Sequence, residues 1–254
     1  MTLRAAGRPL LDQVVGRLPM RLSHQVPRDH RDPDEVFRRR RQVVAAFSVA
    51  GAGLLGASLS TRPASTAFYV STLGVAATWV AGGLASGPLH LGWVQSRDEM
   101  LRRPVATPIA TGVAAFGFFY GCALVATRIP VLNDAIARIL QFADQGATPL
   151  VTLTTCANGV AEEVFFRGAL YAALGEAHPV AFSTAVYTVT TVTTRNPALV
   201  LAAGVMGTLF GLQRRASGGI QAPILTHVTW SVLMLRYLPP LFRQRRRLVD
   251  SASL

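Results

Sequence analysis

Two glutamates and an arginine, in the order Glu162–Glu163–Val164–Phe165–Phe166–Arg167, stand inside an apolar run that extends from near Leu150 to Leu174. Placing one charged side chain at the centre of a membrane helix costs about 2.5–3.5 kcal/mol on insertion scales. Three charges at that depth, with the arginine four residues after the second glutamate, read as a built site. A chain that carries them must fold so that they meet each other, or water, away from lipid.

Composition agrees with a membrane setting. The 254 residues are 50% hydrophobic and only 15% charged, with a mean hydropathy of +0.35. That is too apolar for an ordinary soluble domain. The formal net charge is +12, and all 25 basic residues are arginine. The arginines cluster beside or between apolar runs, which suits anionic lipid headgroups and topology signals. Nucleic acid is therefore not expected as a partner. Cys122 and Cys156 both fall in apolar segments, so packed thiols are expected rather than a disulfide.

The fold class expected is all-α: a polytopic transmembrane helix bundle of about seven spans with an Arg-rich N-terminal tail. A span needs about 20 mostly apolar residues, and candidates lie at roughly 43–60, 66–86, 105–127, 149–174, 179–194, 198–213 and 219–238. Residues 1–42 form a basic tail, in which Leu10, Leu11, Val14, Val15 and Leu18 fit either an amphipathic surface helix or a solvated segment. The late first apolar run gives no expectation of a secretory signal peptide. Residues 43–147 hold three membrane helices and an interfacial helix at 130–147, where Asp134, Arg138 and Asp144 alternate with Ile136, Ile139, Leu140 and Phe142. Residues 148–238 hold four membrane helices, and 239–254 an Arg-rich C-terminal tail.

Glycine pairs four apart, Gly83/Gly87, Gly117/Gly121 and Gly207/Gly211, are expected to let helices approach closely. The arginines divide almost evenly between the two sides of a seven-span bundle. The usual dominance of the first helix favours a cytoplasmic N-terminus in a multi-pass protein of the cytoplasmic membrane. The C-terminal arginines argue against seven simple spans, and segment 179–194 is the candidate that does not cross fully.

On a helix, Glu163 and Arg167 stand one turn apart in the favourable order for pairing. Glu162 points about 100° away from Glu163, with Phe166 one turn along on its own face. One reading makes Glu163–Arg167 an ion pair that shapes a site, while Glu162 faces a cavity; a carboxylate sheltered from bulk water suits general-base work. The other makes all three a buried salt-bridge knot that locks helices together. A second constellation lies in the last span, where His227 and Ser231 are one turn apart and Arg236 follows.

Glu162–Glu163 followed by Arg167 resembles the first motif of the CPBP family of intramembrane proteases, which includes type II CAAX-prenyl endopeptidases and bacteriocin-processing or abortive-infection proteins. Gly207, Gly211, Gly218, Pro223 and His227 fall where that family's glycine-rich helix, turn, proline and final histidine helix sit. The resemblance covers roughly residues 150–235. It implies a helical bundle whose polar cavity holds paired glutamates and histidines. Glu162 would then activate water for peptide hydrolysis, with His227 and Ser231 (usually asparagine in the family) holding the water or the oxyanion.

The chain departs from the family at the second motif, Phe-x-x-x-His. The best match runs from Tyr187 to Thr191, which puts threonine where histidine is expected. Threonine cannot take up a proton at neutral pH and is a poor metal ligand. His178 precedes Pro179 in a loop and is not expected to substitute. Glu162, Glu163 and His227 make three candidate ligands, but Glu163 is engaged by Arg167, so no metal or other cofactor is expected.

Two functions follow. One is an intramembrane endopeptidase whose catalytic set is drawn from Glu162, Glu163, Arg167, His227, Ser231 and Thr191. The other is a non-catalytic scaffold or accessory subunit of an envelope complex. Arginine without lysine points to a high-GC bacterium, where prenylated substrates are not expected. The substrate or partner is then a peptide precursor or a membrane protein, and the lipid bilayer itself is a partner at the arginine clusters.

Overall fold

A computed structural model describes residues 33–95, 100–175 and 178–252, with side chains described through Phe242. The segment containing Leu10 to Leu18 lies outside the described residues.

The described chain is helical throughout except for one small hairpin. Helices α1 (Asp34–Ser58) and α2 (Thr66–Ser86) are followed by β1 (Val94–Gln95) and β2 (Leu101–Arg102), an antiparallel pair. Then come α3 (Ala106–Ala126), α4 (Pro130–Gln145) and α5 (Thr148–Glu162). A π-helical segment, Glu163–Leu170, continues α5 into the single turn α6 (Tyr171–Ala173). The chain closes with α7 (Pro179–Val192), α8 (Pro197–Ser217) and α9 (Gln221–Ala252).

Local chemistry sets these boundaries. Proline opens α4, α7 and α8, where its missing N–H costs nothing. Ser65 caps α2 by accepting from Phe68 N at 3.1 Å. Asn196 caps α8 through Ala198 N and Leu199 N while its amide donates to Ala135 O at 2.8 Å, tying α4 to the α7–α8 turn. Gly218, at φ 69°, stops α8 in the left-handed conformation that glycine tolerates.

All seven apolar segments expected as spans are helical. Length and composition qualify α2, α3 and α8 as membrane-crossing, with mean hydropathies of 1.4, 1.9 and 1.2. On α2 and α3, Val70, Leu84, Val113 and Val125 are exposed, an apolar surface that suits lipid. Helix α7 has 14 residues, about 21 Å at 1.5 Å per residue, well short of a hydrocarbon core of about 30 Å.

Several expectations are corrected. Helix α1 begins at Asp34, inside the segment read as tail, because Asp34 and Glu35 favour its N-terminus and Arg41 finds a partner. Its guanidinium donates to Ala173 O at 3.0 Å and lies 4.4 Å from the centre of the Phe37 ring. Helix α9 runs through Pro239 and Pro240 to Ala252, with Leu238 and Phe242 packed on Ala123 and Leu140 on either side of the prolines. Gly117 and Gly121 face open space, so that pair mediates no close approach. Cys122 is exposed rather than packed, and neither thiol is bonded.

The core that carries the site is aromatic. Trp79 of α2 is fully buried, with ring centroids 4.7 Å from Phe165 and 4.9 Å from Phe166. Gly51 of α1 lies against the Trp79 ring with no room for a Cβ. At one end of the bundle the loop after α2 pairs with the α8–α9 turn: Trp93 N donates to Ser217 O, Ile220 N to His90 O and Gln221 N to Leu91 O, at 2.8–3.0 Å. Gly92 and Gly219 cross there at backbone contact, which no side chain would permit. This crossing fixes where α9 starts, and so where His227 enters the bundle.

Candidate active site

Glu162 is the last residue of α5 and Glu163 the first of the π-helical segment. A π turn widens the helix by about one residue per turn and recurs at functional sites. Here it follows the one place where the two carboxylates must diverge. Glu163 and Arg167 are both fully buried, and Glu162 is half-buried.

Glu163 is held from two sides. Arg167 approaches it with Nε 3.3 Å from Oε2 and donates from Nη1 to Oε1 at 3.3 Å. His227 Nδ1, from α9, is 2.9 Å from the same Oε1. A carboxylate only accepts, so Nδ1 carries a proton in this contact, and Nε2 is left as the ring's second functional nitrogen. The imidazole is stacked on Phe210, with centroids 4.7 Å apart and planes at 20°.

Arg167 is anchored beyond its acid. Nη2 donates to Gly207 O at 3.0 Å, and the guanidinium carbon lies 4.6 Å from the Tyr187 ring centre and 5.1 Å from that of Phe210. Gly207 makes this possible, because a Cβ there would lie 3.2 Å from Nη2. Arg214 in turn donates to Arg167 O at 2.8 Å. Desolvating a guanidinium this completely requires partners of this kind, and Nε, which makes no hydrogen bond, is compensated only by its 3.3 Å approach to Glu163.

Glu162 takes a different direction. It accepts a 2.6 Å hydrogen bond from the Tyr187 hydroxyl and lines a cavity of about 640 Å³. His227, Trp230 and Ser231 of α9 line the same cavity, as does Asn158 one turn before Glu162. Asn158 is itself fixed by donating to Thr72 O and Thr154 O. The rest of the wall is largely apolar, with Phe118, Phe119, Leu140 and Met234 among its members.

The structure thus brings Glu162, His227 and Ser231 to one cavity, with Glu163 and Arg167 behind them. Thr191 is not among the residues that line it. Its hydroxyl turns back to donate to Tyr187 O at 2.8 Å, the usual habit of threonine inside a helix. Arg236 is exposed, beside the ring of its neighbour Tyr237. His178 caps the opposite end of α7 from Thr191. Tyr187 is the residue that sequence reading missed. It was visible there only as the aromatic of the second motif, and the signal was a hydroxyl at a position the family fills with phenylalanine.

Glu163 Oε1 accepts from both Arg167 and His227, and Oε2 faces Arg167 Nε at 3.3 Å, a poor start for a metal site. Among the described residues no group of three His, Cys, Asp or Glu is placed to hold an ion.

Comparison with known proteins bears on this same region. Residues 144–233, about a third of the chain, match the family model of the Rce1-like type II CAAX prenyl endopeptidases. No curated protein and no solved structure matches the chain. Glu162, Glu163, Arg167, Tyr187, His227 and Ser231 all fall within the matched stretch. Residues 144–233 are thus similar to the Rce1-like type II CAAX prenyl endopeptidases, the group that the Glu162–Glu163–Arg167 motif and the His227 helix also resemble.

Proposed function

We propose that this protein is an intramembrane endopeptidase in which Glu162 is the general base. The observation that carries this reading is one cavity of about 640 Å³ lined by Glu162, His227 and Ser231. Water in that cavity gives a proton to Glu162 as its oxygen attacks a peptide carbonyl carbon. The same proton then passes to the amide nitrogen as the C–N bond breaks, giving a free carboxyl and a free amine. His227, oriented through Glu163, and Ser231 hold the water or the oxyanion. Arg167 holds Glu163 in place.

The apolar walls favour an apolar peptide segment as substrate, drawn from a peptide precursor or another membrane protein. We place the protein in the cytoplasmic membrane as a bundle of up to seven spans. Its N-terminus faces the cytoplasm, with the exposed Arg38, Arg39 and Arg103 near anionic headgroups; the usual dominance of the first helix supports this orientation.

A second reading, a non-catalytic scaffold, is favoured by Thr191, whose hydroxyl is spent on its own helix where the family has histidine. The two readings separate on Glu162→Gln, which keeps shape and removes the base. Membrane proteomes of cells carrying the wild type and the variant are compared by mass spectrometry for uncut precursors. The peptidase reading expects at least one precursor to accumulate at normal expression of the variant. Identical processing of every precursor overturns it in favour of the scaffold.

A further inference from the structure

Glu162 and Tyr187 stand on separate helices, 25 residues apart in sequence, and their side chains meet at 2.6 Å. Among the described residues, the hydroxyl of Tyr187 is the hydrogen-bond donor that reaches this carboxylate. The ring that carries it is tightly held. Its centroid is 4.8 Å from that of Phe166, the Arg167 guanidinium lies over one face, and a Cβ at Gly207 would come within 3.2 Å of Cδ1. A phenol fixed in this way cannot follow a carboxylate that rotates. It pins Glu162 Oε2 and fixes the plane of the carboxylate, leaving Oε1 as the oxygen able to accept a proton from water in the cavity.

We propose that Tyr187 is the positioning residue for the Glu162 general base. It supplies from the aromatic position of its helix the polar contact that Thr191, bonded to its own backbone, does not supply. This rests on the peptidase reading of Glu162. The other charged or titratable groups facing Glu162 are His227, Glu163 and Arg167. Glu163, Arg167 and His227 are engaged with one another, so Tyr187 is the group left to orient the base.

Tyr187→Phe removes the hydroxyl and keeps the ring, so packing on Phe166 and Arg167 survives. The assay uses full-length protein in detergent micelles and an internally quenched apolar peptide, chosen because the wild type cleaves it and Glu162→Gln cleaves it far more slowly but at a measurable residual rate. The expected result is a fall in kcat of about 10- to 100-fold, the range for a hydrogen bond to a charged group, with KM and the thermal midpoint unchanged. In the Glu162→Gln background, Tyr187→Phe is expected to cause no further loss of residual rate.

An unchanged kcat in Tyr187→Phe overturns the assignment while leaving the peptidase reading intact. So does an equal fold-loss in both backgrounds, which marks a structural effect that does not pass through Glu162. If no apolar peptide separates the wild type from Glu162→Gln, the peptidase reading fails and this assignment fails with it.

Discussion

His227 Nδ1 lies 2.9 Å from Glu163 Oε1, joining two residues 64 positions apart in the chain. The imidazole thus meets the buried glutamate of the pair, and the cavity-facing one is left to Tyr187. Paired acids have in this way separate environments, one enclosed by Arg167 and His227 and one open to the cavity, and separate roles become possible. His227 belongs to both settings, since it bonds Glu163 and also lines the cavity.

Arg167→Ala removes the partner of a fully buried carboxylate and frees Gly207 O in the same step. A loss of about 3–5 kcal/mol of stability is expected, the range for stranding one member of a buried pair. Denaturant unfolding in detergent, or a sharp fall in the amount of folded protein in the membrane, measures it.

His227→Ala leaves the Glu163–Arg167 pair in place but removes the imidazole from the cavity. Cleavage is expected to fall by about 10²-fold or more, with the protein still expressed and folded. Accumulation of the same precursors as in Glu162→Gln checks this.

Thr191→Val exchanges the hydroxyl for a methyl group at nearly constant volume. Because that hydroxyl bonds only its own helix and does not line the cavity, precursor processing is expected to be unchanged. Stability should move by less than about 1 kcal/mol. A strong loss of processing would return Thr191 to the site.

Gly207→Ala and Gly117→Ala are expected to act in opposite directions. At Gly207 the new methyl crowds the Arg167 guanidinium and the Tyr187 ring, costing about 1–3 kcal/mol as overpacking does. At Gly117 it meets open space, and the better helix propensity of alanine contributes about 0.5–1 kcal/mol. Thermal midpoints of the two variants in the same detergent compare them directly.

Much of this protein was legible in the order of its residues. Every apolar run read as a span is helical, and three of the helices, α2, α3 and α8, are long and apolar enough to cross a membrane, since hydrophobic length there is set by the bilayer rather than by distant contacts. The four-residue spacing of Glu163 and Arg167 gave their ion pair, because one turn of helix brings such residues together whatever surrounds them. The hairpin at Val94–Gln95 and Leu101–Arg102 was not legible, because two-residue strands carry no periodicity.

Other features were decided only by the tertiary structure. Gly117/Gly121 and Gly207/Gly211 share one spacing, yet only the second pair lies at a close approach, because spacing is local and the neighbouring helix is not. Which glutamate His227 meets, and that Tyr187 rather than Thr191 reaches Glu162, depend on how α7 and α9 are rotated against α5. That rotation is set by packing among Trp79, Phe165, Phe166 and Phe210 and by the Gly92–Gly219 crossing, contacts between residues far apart in the chain. Side-chain chemistry made the site possible; the docking of helices assigned each group its partner.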